Sequence, residues 1–235
     1  MICKNCGRQS NGKFCPDCGQ QLETHRITLH HLLHEILHTF THVEKGFIYT
    51  LKKLVTQPGQ MQRLYLEGWR ARHQKPFSMF FICASASALA MYWINKFAHG
   101  EMLLPEQDAV NYFFQHYYVL LHVALFPFYT LVTWLLFIKS GYNYAEILVL
   151  EMYLVAFMLL LLIPIQLFGA LLPSVIPTRL IEIIALSVYN IWTFVRFFNK
   201  TRWWVVILLS LVNMAINYFV YVFIMEFIIT EALIK

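Results

Sequence analysis

The sequence predicts an all-α polytopic membrane protein of about five transmembrane helices, its N-terminus cytosolic, headed by a small zinc ribbon. Three observations predict it. Long, almost uncharged apolar runs fill the last two thirds of the chain, a paired CxxC-G motif opens it, and Lys and Arg crowd its first third. Of 235 residues, 59% are hydrophobic and 13% charged, against roughly 45–50% and about 25% in an average soluble domain. The organisation expected is a ribbon over residues 1–22, cytosolic amphipathic, His-rich and basic interfacial helices over 23–76, and a transmembrane bundle over 77–235.

The ribbon comes first. Cys3-Lys4-Asn5-Cys6-Gly7 and Cys15-Pro16-Asp17-Cys18-Gly19 are two knuckles of one pattern. Two residues between cysteines let both sulfurs reach one ion, and the glycine lets the backbone turn beneath it. Four thiolates make a closed tetrahedral site suited to Zn²⁺, with no position left for a substrate. Two disulfides or a redox pair are the alternatives, which a reducing cytosol disfavours. About twenty residues build no core, so the metal supplies the folding energy. Met1-Ile2-Cys3 leads straight into this motif, without the charged and apolar regions of a secretory signal. Lys4, Arg8 and Lys13 face only Asp17 here, but a four-thiolate Zn²⁺ centre carries −2 and cancels the surplus. Phosphate-backbone binding needs unbalanced positive charge, so nucleic acid is disfavoured as a partner.

Six of the ten histidines follow, between His25 and His42. On a helix over residues 28–47, Leu29, Leu32, Leu33, Ile36, Leu37 and Phe40 share one arc. His30, His31, His34, His38 and His42 share the opposite one, with Glu35 beside them. Such a two-faced helix rests at a bilayer interface or on the mouth of a bundle. Within it His34-Glu35-Ile36-Leu37-His38 is a literal HExxH, in which two His bind Zn²⁺ and Glu activates water. His42 is one turn on and is the candidate third ligand of this second metal site; Glu35 is the candidate catalytic base. A helix this rich in His produces such spacings by chance, so the polar-face reading ranks above metal binding, and metal binding above catalysis.

A basic connector comes next: Phe47 to Leu54, a break at Gln57-Pro58-Gly59, then Met61, Leu64, Tyr65 and Trp69 among Arg63, Arg70, Arg72 and Lys75. Positive charge interleaved with Trp and Tyr beside a membrane reads as an anchor for anionic lipid headgroups. The ribbon, Arg26-Ile27-Thr28-Leu29, Thr50-Leu51 through Pro58-Gly59, Tyr65-Leu66-Glu67-Gly68 to Arg70, and Lys75-Pro76-Phe77 together resemble a family of bacterial membrane proteins known only as a domain of unknown function. The resemblance covers the first third by motif and the rest by hydropathy. It implies a zinc ribbon, this connector and a helical bundle in the inner (cytoplasmic) membrane, and no chemistry; the HExxH is not part of the pattern.

A span needs roughly 20 mostly apolar residues. Five stretches qualify: 77–97, 117–138, 144–172, 180–198 and 203–229, of which the fourth is the shortest and carries Glu182. Pro127 and Pro164 fall inside helices, which lipid-embedded helices tolerate. Residues 1–76 hold 11 of the 18 Lys and Arg, and the positive-inside rule puts them in the cytosol. Intramembrane polar groups are functional candidates by default. Here they are Glu151, Arg196, Asn213 and Asn217, with Arg196 the expected partner of Glu146 or Glu151. Interhelical hydrogen bonding is the simpler reading of them.

The functional expectation is a non-enzymatic integral membrane scaffold or regulator, whose cytosolic ribbon and His-rich helix engage a protein partner or a second copy. The alternative is a small transporter or channel built on the intramembrane polar site. A membrane metalloenzyme using the His34–His38 helix ranks third.

Overall fold

The computed structural model describes residues 1–30, 32, 46–99, 124–172 and 178–228. The histidine motif of His34, Glu35, His38 and His42 lies outside the described residues. The described elements are α1 (Phe47–Thr56), α2 (Gln60–Glu67), α3 (Pro76–His99), α4 (Ala124–Leu136), α5 (Tyr144–Leu171), α6 (Thr178–Phe197) and α7 (Trp203–Ile228). A single 3₁₀ turn, Ile138–Ser140, links α4 to α5. Among the described residues there is no strand, only the isolated bridges Ile2 to Gln9 and Phe14 to Gln21 in the head.

Four of these helices are long and apolar enough to cross a membrane: Pro76–Phe97, Tyr144–Leu171, Thr178–Phe197 and Trp203–Ile224. The second expected span is described only from Ala124 onward, as the shorter apolar helix α4. α5 runs unbroken through Pro164. The outer surfaces fit a lipid solvent. Leu180, Ile183, Ile184 and Val188 on α6, and Leu208, Leu211, Phe219 and Phe223 on α7, are all exposed. A soluble monomer rarely shows water so large an apolar patch.

α5 is the central helix. Its first four turns are buried almost throughout, from Ala145 to Leu159. One side of it packs with α1, α2 and α3, and the other with α6 and α7 and with Phe137 at the end of α4. α3 packs extensively along it. The reason lies in the run Cys83-Ala84-Ser85-Ala86-Ser87-Ala88, whose small side chains let two backbones approach where lipid supplies no hydrophobic drive. Phe80, Cys83, Ala84 and Ser87 are buried at the i, i+3, i+4, i+7 spacing of one helix face. Ser87 Oγ donates to the Leu159 carbonyl across the contact at 3.0 Å.

α1 and α2 form a platform against one end of this bundle. Tyr153 of α5 donates from its hydroxyl to the Gln74 carbonyl, and Tyr189 of α6 donates to the Leu54 carbonyl in the last turn of α1 at 3.1 Å. The latter satisfies an acceptor that a helix C-terminus otherwise leaves orphaned. The break at Pro58-Gly59 has a matching cause. Gly59 has φ +72 and sits so close to α6 that an added Cβ would lie 2.1 Å from the Thr193 carbonyl oxygen and 2.6 Å from the Phe197 nitrogen. Only glycine meets both demands.

Gly59→Ala is therefore expected to lower the melting temperature in detergent well below that of Gly141→Ala. Gly141 also has positive φ, but its Cβ would meet open space, leaving only the left-handed strain of about 1–2 kcal/mol. Equal melting of the two variants would contradict the close approach.

Candidate metal centre and its mounting

The two knuckles are built alike. Gly7 donates its N–H to the Cys3 carbonyl at 2.8 Å, and Gly19 to the Cys15 carbonyl at 2.9 Å. Both glycines have positive φ, at 77° and 70°. Cys3 and Cys15 in turn donate their N–H to Arg8 and Gln20 carbonyls at 2.8 Å. The bridges Ile2 to Gln9 and Phe14 to Gln21 obey the same twelve-residue offset. The head is thus a repeat of one half-site.

Facing each other, the halves bring four sulfurs within 4.8 Å of one another. Cys3 and Cys18 Sγ are 3.6 Å apart, and Cys6 and Cys15 Sγ 3.4 Å. Four sulfurs held about 2.3 Å from one tetrahedral ion lie about 3.8 Å apart, so the cluster has the dimensions of a metal site. All four cysteines are free thiols. Cys3 and Cys15 are buried with Leu22, the small core the head possesses, and Arg8 pairs with Asp17 across the knuckles. This geometry can hold one metal ion and presents no fifth donor among the described residues. Cys83, the fifth cysteine, is buried in α3.

The head is mounted on the bundle by named contacts. Gln20 Oε1 accepts from the Arg70 and Ala71 amides at 3.1 and 2.7 Å. Lys4 Nζ donates to Thr24 Oγ1 at 2.7 Å and to the Glu67 carbonyl at the end of α2. Gly68 lies where a Cβ would come within 2.7 Å of Thr24 Oγ1. Arg70 donates to the His25 carbonyl at 3.0 Å. Past the head, Ile27 and Leu32 insert into the core beside Leu54, Met61 and Tyr153.

The firmest tie is Arg26. It donates from Nε and Nη2 to the two oxygens of Glu146, both at 2.7 Å, and from Nη2 to the Gly141 carbonyl at 2.6 Å. The Glu146 carboxylate holds the Arg26 guanidinium even further above its ordinary protonation range. Two-pronged carboxylate pairs are the strong, orienting kind. The same carboxylate caps α5: Oε2 accepts from the Asn143 N–H at 2.8 Å, while Asn143 Oδ1 accepts from the Glu146 N–H at 2.9 Å. Asn143-x-x-Glu146 is a capping box and stands in the sequence as a readable signal. The expected pairing of Glu146 or Glu151 with Arg196 is overturned. Glu146 belongs to Arg26, and Arg196 is exposed at the last turn of α6. Depth along a helix does not say which way a side chain points.

Three of the four intramembrane candidates do meet. Thr133 of α4 donates to Glu151 Oε1 at 2.6 Å and lies 3.2 Å from Asn213 Oδ1, which also accepts from Asn217 Nδ2 at 3.3 Å. Thr133 links three helices and went unnoticed in the sequence, where a threonine in an apolar run carries no charge to flag it. Glu182, the polar interruption of α6, accepts from Gln166 of α5.

Against known proteins, the family model described as "Protein of unknown function (DUF3667)" matches residues 44–87. This stretch is the platform, from the start of α1 to the first half of α3, with the arginine and glycine that receive the head. No curated protein and no solved structure matches the chain.

His73, inside this stretch, packs against the Tyr49 and Tyr65 rings at 5.1 and 6.2 Å. Burial, with the nearby Lys53 charge, pushes its imidazole down to about 4 from 6.5. The folded state then binds fewer protons than the unfolded one between these values, so stability falls as pH drops from about 6.5 to about 4 and levels off below. The full loss is about 3 kcal/mol. Melting temperatures of the wild type should fall over that window. His73→Gln should flatten the fall; an unchanged slope would assign it to other groups.

Proposed function

We propose that this protein is an integral membrane scaffold or regulator, lodged in a bacterial inner membrane, whose cytosolic zinc ribbon presents a docking edge to another protein. The carrying observation is the mounting of a closed four-sulfur site. Contacts from Lys4, Gln20 and Arg26 hold it on the platform, and a site with all four positions filled by protein binds no substrate. Zn²⁺ is the ion that such a thiolate set favours. The equivalent residues Ile2 and Phe14 of the two knuckles are 70% and 61% exposed, so each bridge carries an apolar side chain into water. Exposed apolar edges rimmed by polar groups suit protein partners, a second copy of this chain included. The inner-membrane placement and the cytosolic head rest on the concentration of Lys and Arg in residues 1–76.

A second reading, a small transporter or channel, is favoured by one observation: the Thr133, Glu151, Asn213 and Asn217 chain through three helices. It ranks lower because Thr133 already satisfies Glu151, which is the ordinary work of interhelical hydrogen bonds.

Purification from native membranes of the wild type and a Cys3→Ser, Cys18→Ser variant tests the leading reading. The wild type should carry about one Zn²⁺ per chain and a stoichiometric protein partner or second copy, and the variant should lose both. His34→Gln, His38→Gln should change neither. Metal without any co-purifying chain, across several mild detergents, would count against a docking role.

A further inference from the structure

The platform does more than receive the head. Where α2, the last turn of α6 and the start of α7 converge, they enclose an open cleft of about 490 Å³, within the roughly 300–1,000 Å³ common for ligand sites. Arg63, Arg196 and Arg202 line it, joined by Gln60, Asn199 and Trp203, and no carboxylate lines it.

The gathering of these cations is a consequence of the fold. Gly59 presses its turn onto Thr193 and Phe197, which sets Arg63, one helical turn later, beside the final turn of α6 that carries Arg196. Arg202 immediately precedes Trp203, the first residue of α7. Like charges brought together without a counter-charge repel one another. Arg63 has one ion-pair contact, Nε to Glu67 at 3.8 Å, and its Nη1 is buried without a hydrogen-bond partner. Arg196 and Arg202 have no ion-pair partner among the described residues. The cleft therefore offers fork-shaped donors that lack an acceptor, and the N-terminal end of α7 adds its dipole to them. Guanidinium forks fit phosphate oxygens two at a time.

The rim says which phosphate. Trp203 is 66% exposed where polar platform gives way to apolar span. Trp204 and Leu208 continue the exposed surface of α7, where acyl chains would lie. A basic pocket between helices at a membrane surface, opening toward lipid, suits a headgroup. We propose that this cleft binds the phosphate of an anionic phospholipid headgroup, with Arg63, Arg196 and Arg202 as donors and Trp203 at the headgroup–acyl boundary. The proposal is independent of what the ribbon docks.

The full chain in neutral detergent, titrated with short-chain phosphatidylglycerol and followed by native mass spectrometry, tests it. The triple variant Arg63→Gln, Arg196→Gln, Arg202→Gln should bind the anionic lipid at least tenfold more weakly. A charge-matched control, Lys52→Gln, Arg72→Gln, Lys139→Gln, removes exposed cations elsewhere and should weaken it less than twofold. Arg196→Gln alone, at an exposed position where folding is unthreatened, should show a partial loss with unchanged zinc content. Equal losses in triple variant and control would overturn the site in favour of diffuse attraction. Equal binding of short-chain phosphatidylcholine would overturn the requirement for net negative charge. Binding of glycerol phosphate as tight as the lipid would overturn the lipid as the source of the phosphate.

Discussion

One carboxylate organises this molecule. Glu146 closes the capping box that starts the central helix and grips Arg26, which ties the head to the bundle. Its side chain is nearly sealed, while that of Arg26 stays 58% exposed. Only the carboxylate is buried, so moving the head away leaves Glu146 at the lip of α5 without its counter-charge. The other head contacts are neutral hydrogen bonds or single charged donors, each worth about 0.5–1.5 kcal/mol when neutral and about 1.5–3 when charged. Arg26 sets where the head sits, and the rest set its angle.

From that constraint follows the layout of everything at this end of the molecule. The platform helices lie under the head because Gln20 and Lys4 bond to the chain leaving α2. They lie on the bundle because Tyr153 and Tyr189 reach their carbonyls and Gly59 admits the backbone of α6. The stretch 44–87 that matches the family model is this junction. Its described residues join the four-cysteine head to apolar helices.

Much of this could be read in the sequence, and for reasons of signal strength. The knuckles were legible because a repeated CxxC-G pattern has few other uses. Four of the five expected spans were legible because lipid demands long apolar runs. The break at Pro58-Gly59 announced itself by residue type. The partners of the charges were not legible. Glu146 was matched with Arg196 by depth, although 120 positions separate it from its true partner Arg26. The capping box at Asn143 stands just ahead of the 144–172 apolar run, whose hydropathy drowns a two-residue polar signal. Thr133 and the small-residue run of α3 carry no charge and little periodic contrast, yet they decide how three helices meet. Sequence pattern reports what solvent a segment prefers; which side chains meet across helices is a property of packing.

The head is a fixed part of the bundle, held by Arg26. Hydrogen exchange of the full chain in lipid nanodiscs, wild type against Arg26→Gln, measures it most directly, because this change leaves the capping box of α5 intact. The Arg70 and Ala71 amides, bonded to Gln20 of the head, should exchange at least tenfold faster in the variant, a loss of about 1.4 kcal/mol in the opening equilibrium. Amides within 150–159 of α5 should keep their protection. Unchanged protection of Arg70 and Ala71 would contradict the hold by Arg26.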